Sequence, residues 1–247
     1  MLSPIKNLKH KTNSISLLKD LIPKGSIVQS YPFYDGNIEF SLSESDRFVI
    51  GTTKSKVVKE FWDCASTDPN RIASISQKFY PNLNENTFDL LKGNWHTYRD
   101  PYVRSALFFL LNCCSDIGMI SYGEFDTSNY NPISLNYLKS FKVDNFFIYL
   151  LEENEDYSTN DKAEFNLFNG GNYFYDVLET EKIIGAEESE FKHTKFLKHF
   201  SKIPSIFVYN YHPRLEKNRQ YSKILVDQYG RKVNNSDNAK EIILHNV

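Results

Sequence analysis

The sequence predicts an α/β fold built on a largely parallel sheet, and three observations carry that prediction. Short apolar runs of strand length alternate with stretches whose apolar residues recur at helical spacing. Helix starts of the Asp-Pro or Asn/Ser type and stops of the Pro or Gly type fall between those runs. The chain closes on two β-type runs on either side of Tyr229-Gly230-Arg231, which reads as a terminal hairpin. A sheet of this kind binds ligands at the carboxyl ends of its parallel strands.

Each element follows from local chemistry. Asn13 or Ser14 is placed to cap a helix carrying Ile15, Leu17, Leu18, Leu21 and Ile22 on one face, stopped by Pro23, Lys24 and Gly25. A strand over Ser26 to Tyr31 follows, then a second apolar run, Phe48-Val49-Ile50, bounded by Gly51. Val57, Val58, Phe61 and Trp62 form one face of the next helix. From Asp68 to about Asn112 the pattern predicts three helices in series, with Asp68-Pro69 and Asp100-Pro101 each setting a capping carboxylate before a first-turn proline. Met119 to Phe125 reads as a small hairpin, Pro132 to Lys139 as a helix, and Asn145 to Leu151 as a buried strand. A polar loop over 152 to 164 leads to strand candidates at Phe165 to Phe168 and Tyr173 to Leu178, separated by Asn169-Gly170-Gly171. A charged helix from about Glu187 to Ser201 and a strand from Ser205 to Tyr209 precede the hairpin of Tyr221 to Gln228 and Glu241 to His245.

Composition narrows the function classes. The 247 residues are 40% hydrophobic and 24% charged, which is ordinary for a globular chain long enough to bury a large core. Aromatic residues reach 15%, so packing relies on large rings. A formal net charge of -2 gives no global cationic field, so any contact with nucleic acid has to be local. Cys64, Cys113 and Cys114 are odd in number and lack metal-ligand spacing, so reduced buried thiols are expected, with no disulfide framework and no metal site. The six histidines are scattered and read as structural. No apolar run approaches the roughly 20 residues that span a bilayer, and the first residues lack a signal-peptide pattern, so an intracellular, cytoplasmic protein with no membrane contact is expected. Without a secretory signal the sequon Asn234-Asn235-Ser236 has no chemical meaning. There is no Ser-His-Asp or phosphate-loop signature.

In order along the chain, several segments resemble the Dam-like adenine-specific (N6) DNA methyltransferases. The opening Leu2-Ser3-Pro4-Ile5-Lys6, then Lys11 and the helix ending Leu21-Ile22-Pro23-Lys24, are similar to that family's start. Arg99-Asp100-Pro101, the helix Ala106 to Asn112, and Ile120-Ser121-Tyr122-Gly123-Glu124-Phe125 resemble its target-recognition region. Glu241 to Asn246 resembles its terminus. The resemblance implies a Rossmann-like sheet of the S-adenosylmethionine-dependent methyltransferases ending in a β-hairpin. Residues 1–66 and 141–247 would form the methyltransferase-like domain, and 67–140 a helical and hairpin insertion for target recognition.

The positions that the resemblance assigns to chemistry are altered. The family's cofactor loop, an acidic residue followed by Phe-x-Gly-Gly, corresponds to Gln29-Ser30-Tyr31-Pro32-Phe33-Tyr34-Asp35-Gly36-Asn37, where only Phe33 and Gly36 survive. Tyr34 and Asp35 would crowd or repel the cofactor. Thr52 falls where an Asp would hold the ribose hydroxyls, and it lacks the charge-assisted grip of a carboxylate. Of the opening Gly-rich turn only Lys11 is left. The Asp-Pro-Pro-Tyr motif, whose acceptor and ring receive a flipped adenine, corresponds to Asn172-Tyr173-Phe174-Tyr175, which keeps acceptor and ring but neither proline. Asn210-Tyr211-His212-Pro213 is a second candidate for the same motif. As plain structure, the first is an edge strand, and Phe33 with Gly36 is a core ring and a tight turn.

For nucleic acid, the candidate cations are Arg99 and Arg104 near the recognition segment and Lys195 and Lys198 on the later helix; Glu124 and Asp126 oppose that role in the expected hairpin. The expectation is therefore a catalytically degenerate homologue acting as a structural or interaction protein, with a protein partner or self-association and no cofactor. The alternative is an active or partner-dependent adenine methyltransferase using S-adenosylmethionine, or a DNA-binding relic of one.

Overall fold

A computed structural model of the chain describes residues 3–6, 12–151, 161–173 and 191–247. Helix α1 (Ile15–Leu21) leads to strand β1 (Ile27–Tyr31), helix α2 (Asn37–Ser43), β2 (Phe48–Thr53) and α3 (Lys56–Thr67). Four more helices follow before the next strand: α4 (Pro69–Phe79), α5 (Glu85–Asn94), α6 (Pro101–Cys113) and α7 (Pro132–Lys139). Then come β3 (Phe146–Leu150), β4 (Phe165–Gly171), α8 (His193–His199), β5 (Ser205–Asn210), α9 (Pro213–Glu216), β6 (Ser222–Val226), β7 (Lys232–Val233) and β8 (Glu241–His245).

The strands form one sheet in the order β3-β2-β1-β4-β5-β8-β6-β7. The first five in that order are mutually parallel, whereas β8 runs antiparallel between β5 and β6. The predicted α/β class and the terminal hairpin are both present. Strand order reverses between β1 and β4, which makes their carboxyl ends the switch point of the sheet.

Helix starts follow the predicted chemistry. The Asp68 carboxylate accepts from the Arg71 amide at 3.0 Å, and Asp100 accepts from Tyr102 and Val103 at 2.7 and 3.4 Å, each ahead of a first-turn proline. At α1 the expected cap differs, because the Ser14 side chain makes no capping bond. The carboxylate of Glu241 on β8 accepts instead from the Asn13 and Ser14 amides, at 2.6 and 3.1 Å. At the other end, the buried Arg47 guanidinium donates to the carbonyls of Lys19 (2.7 Å) and Ile22 (3.1 Å from Nε), so two distant side chains close α1.

One face of the sheet carries most of the core. Leu18, Ile22, Ile38 and Leu42 from α1 and α2 pack on Val28, Val49, Leu167, Ile206 and Val208. Beside them, Phe33, Phe40, Trp62 and Phe146 are continuous with Phe88, Trp95 and Phe108 of the helical segment, so residues 67–140 share a core with the sheet. Helix α8 lies on the opposite face over Phe168, Phe207 and Tyr209.

Further local expectations change. Helix α2, unread in the sequence, follows Gly36, whose φ of 74° is a backbone conformation that suits glycine. Gly51 lies inside β2 rather than bounding it, because a Cβ there would sit 2.8 Å from the Phe33 ring. Asn169-Gly170-Gly171 belongs to β4: Gly170 is a bulge against β5, and a Cβ there would sit 2.1 Å from Tyr209 Cε1. The expected hairpin at Met119 to Phe125 is a compact turn with one bridge, Ser115 to Phe125, and the Gly123 amide donating to Met119 O at 2.9 Å. A Cβ at Gly123 would meet Ser115 Oγ, so the turn folds tightly onto the end of α6 instead of extending.

Strand β3 is the outermost strand at one edge among the described residues, not a fully buried one. Phe146 and Ile148 face the core, while Phe147 and Tyr149, with the opposite orientation, are 66% and 49% exposed. The second strand candidate, Tyr173 to Leu178, lies outside the described residues beyond Tyr173.

Candidate functional site at the carboxyl ends of the parallel strands

The end of β1 is filled by its own side chains. The Phe33 amide donates to Thr52 O at 2.8 Å, which turns the Phe33 ring into the core against Phe40, Trp62 and Phe146. Tyr34 is only 8% exposed. Its hydroxyl donates to Gly118 O at 3.2 Å and receives the Asn112 amide at 3.0 Å, while Trp62 Nε1 donates to its carbonyl at 2.8 Å. Thr52 is buried beside Gln29 in the wall of a cavity of about 20 Å³, enough for a single water, shared with Tyr31, Phe168 and Phe207. Gly36 packs on the Phe40 ring. Lys11 lies outside the described residues.

Two carboxyl groups sit at this turn. Asp35 accepts from the Asn37 side chain at 2.6 Å, and burial pushes its pKa up to about 6 against those bonds. Glu39, buried within α2, accepts from Ser30 Oγ at 2.5 Å; burial raises it to about 7, and the charge of Asp35 adds to the rise. Because the folded state holds the Glu39 proton more tightly than the unfolded chain, this stabilisation is full below pH 4.5 and is lost as pH climbs to about 7. The expected contribution of Glu39 to the loss across that window is about 3 kcal/mol at most, and Glu39→Gln should shrink the loss to the part that Asp35, raised to about 6, still contributes. Denaturant midpoints measured from pH 4 to 8 for both proteins check this; parallel curves would refute it.

The carboxyl ends of β4 and β5 bring the two motif candidates together. Asn210 Nδ2 donates to Asn172 Oδ1 at 2.5 Å, so the acceptor of one candidate is held by the amide of the other. The Tyr173 ring lies 5.4 Å from His212, 5.3 Å from His193 and 5.7 Å from Tyr209. His212 caps α9, and Pro213 occupies its first turn. Tyr175 lies outside the described residues. Beside Tyr173 opens a crevice of about 300 Å³, lined by Thr194, Leu197 and Lys198 of α8 and by Arg214, Leu215, Lys217, Asn218 and Gln220 after β5.

No protein-family model matches this chain, and no curated protein does. The site geometry carries the functional reading.

The four candidate nucleic-acid cations do not form one surface. Arg104 Nε donates to Glu60 at 2.7 Å, a second guanidinium nitrogen bonds the other carboxylate oxygen, and a third donates to Arg99 O at 3.0 Å. Arg104 therefore ties α6 to α3, and Arg99 is exposed beside it. Lys195 and Lys198 are exposed on α8, which covers the opposite face of the sheet. Lys198 joins the crevice, where Arg214 and Lys217 were not singled out in the sequence; the charge cluster Arg214 to Arg219 immediately after β5 was the available signal.

Among the described residues, no group of three or more His, Cys, Asp or Glu could hold a metal ion, and no helix is long and apolar enough to cross a membrane. The three cysteines are buried free thiols, and burial pushes Cys114 up to about 12. His193, buried in the first turn of α8, has Nδ1 3.1 Å from the Tyr209 hydroxyl, a structural contact.

Proposed function

We propose that this chain is a catalytically silent relative of the Dam-like adenine methyltransferases, a methyltransferase-type scaffold that works by binding rather than by methyl transfer. One observation carries the reading: the carboxyl end of β1, where such a fold holds its cofactor, contains Tyr34, buried and hydrogen-bonded to Gly118 and Asn112. A cofactor there would have to break those bonds and displace the ring. Thr52 adds to the case, since the cavity it lines, about 20 Å³, has room for a water and not for a ribose. The parallel strands closed by an antiparallel terminal hairpin support the scaffold half of the reading. Asn172 supports the silent half, because its acceptor oxygen is engaged by Asn210.

An active adenine methyltransferase is the competing reading, and cofactor affinity separates the two. Titration of the full chain with S-adenosylmethionine by calorimetry is expected to give no saturable heat. A dissociation constant in the micromolar range would overturn the proposal.

A further inference from the structure

We propose that Asp35 and Glu39 form a proton-held latch: while protonated they keep the first turn of α2 closed at the carboxyl end of β1, and their ionisation as pH rises releases it. This is a device of the turn itself, independent of the methyltransferase reading. The two carboxyl groups stand four residues apart on either side of Gly36, whose φ of 74° makes it the hinge between turn and helix. Each has neutral partners. Asp35 accepts from the Asn37 side chain at 2.6 Å and the Asn37 amide at 3.3 Å, and Glu39 accepts from Ser30 Oγ at 2.5 Å. Among the described residues no ion pair reaches either carboxyl group. The neighbouring strands β1, β2 and β3 carry no acid or base, only the phenols of Tyr31 and Tyr149 on the other face of the sheet. Arg47, ahead of β2, is engaged by the carbonyls of Lys19 and Ile22, and Asp20 of α1 is exposed. On α3, Lys59 pairs with Asp63, Glu60 with Arg104, and Lys56 is exposed, as are Lys142 and Asp144 before β3. Glu44, at the far end of α2, is a further acid and offers no compensation.

Glu39 is the group that has to move. It is 3% exposed, whereas Asp35 and Asn37 beside it are half-buried, so water lies within one helical turn. A carboxylate at Glu39 has one side-chain donor where a buried anion needs several. Unwinding the turn about Gly36 breaks the bond from the Phe40 amide to Gly36 O, 2.8 Å long, and takes that carboxylate to water. A helix of seven residues has little cooperativity to oppose this. Burial holds Glu39 at about 7 and Asp35 at about 6, above their ordinary 4.5 and 3.8. Both protons are therefore bound more tightly in the closed form, which is favoured in full below the ordinary values, and the open form gains as pH climbs to about 7.

Hydrogen exchange of the full chain from pH 5 to pH 8, corrected for the intrinsic pH dependence of amide exchange, reads the opening. The Phe40 amide is expected to be less protected than the amides of β1 at every pH, by roughly tenfold or more. Its protection should fall across that range by at least roughly 70-fold, the share of Glu39 alone. Glu39→Gln, which can still accept from Ser30, should leave a fall of roughly tenfold, the share of Asp35. Asp35→Asn/Glu39→Gln should leave almost none. Equal protection at Phe40 and in β1 would mean that α2 opens only with the whole domain. A Phe40 protection that stays constant from pH 5 to 8, or that falls as steeply in Glu39→Gln, would remove the carboxyl groups as the cause. Any of these results overturns the proposal. Two of them need no substitution, so a variant that fails to fold leaves the test intact. The S-adenosylmethionine titration is read separately, so either idea can fail alone.

Discussion

Trp62→Ala is expected to lower the free energy of unfolding by about 3–5 kcal/mol, as removal of a buried aromatic side chain does when the site cannot collapse. Trp62 is 1% exposed, and its ring lies 4.9 Å from both Phe40 and Phe61, 5.1 Å from Phe141 and 5.7 Å from Phe33. Those rings come from the turn after β1, from α2, from α3 and from the chain after α7, so the cavity would touch four segments that fix one another. The indole N–H also donates to Tyr34 O at 2.8 Å, a bond that the alanine removes. Total stabilities of domains run about 5–15 kcal/mol, so much of the margin disappears. Guanidinium unfolding of the variant checks this. Leu90→Ala, at a 66% exposed position, should change stability by less than about 0.5 kcal/mol. Similar losses for the two would show that the aromatic cluster is not the core it is described to be.

Asn112→Leu keeps the volume and removes a junction. The Asn112 amide donates to Lys6 O at 2.9 Å, to the Tyr34 hydroxyl at 3.0 Å and to Gly118 O, while its oxygen accepts from the Lys6 amide at 2.9 Å. The amide has two hydrogens for these three acceptors, so one is shared, and a flipped amide would set its NH2 against the Lys6 N–H. Leucine leaves these groups short of partners in a buried place, although those of Lys6 are near enough to the surface to rehydrate. The expected cost is about 2–4 kcal/mol. A more specific readout is hydrogen exchange: the Lys6 amide should lose protection well before the amides of β1. Unchanged protection at Lys6 would mean that Asn112 is not what fixes the segment 3–6.

Signals confined to a few neighbouring residues were legible in the sequence. The Asp-Pro starts of α4 and α6, the helical spacing through α3 and the period of the final strands depend on local sterics and on caps within three residues. What was not legible depends on residues far away in the chain. Gly51 and Gly170 look like turn residues, and only the rings of Phe33 and Tyr209 across the sheet explain why small residues sit inside strands. The run Asn145 to Leu151 is apolar enough for a central strand, yet its place in the strand order decides that half of it is exposed. The candidate site divides in the same way. Asn172 and Asn210 were each visible as motif residues, but their contact depends on the pairing of β4 with β5, and the crevice on how α8 meets the segment after β5.

The carboxylate that closes α1 has a consequence for the order in which the molecule can be made. Glu241 lies 228 positions from Asn13, on a strand flanked by β5 and β6. During synthesis α1 emerges before the sheet, but the carboxylate that accepts from the amides at its start arrives only with β8. Helices as short as seven residues are marginal alone, and contacts across such a separation form late because loop closure precedes their reward. Helix α1 therefore reaches its final state only after β8 is inserted, so an element made before the whole sheet is among the last to be fixed.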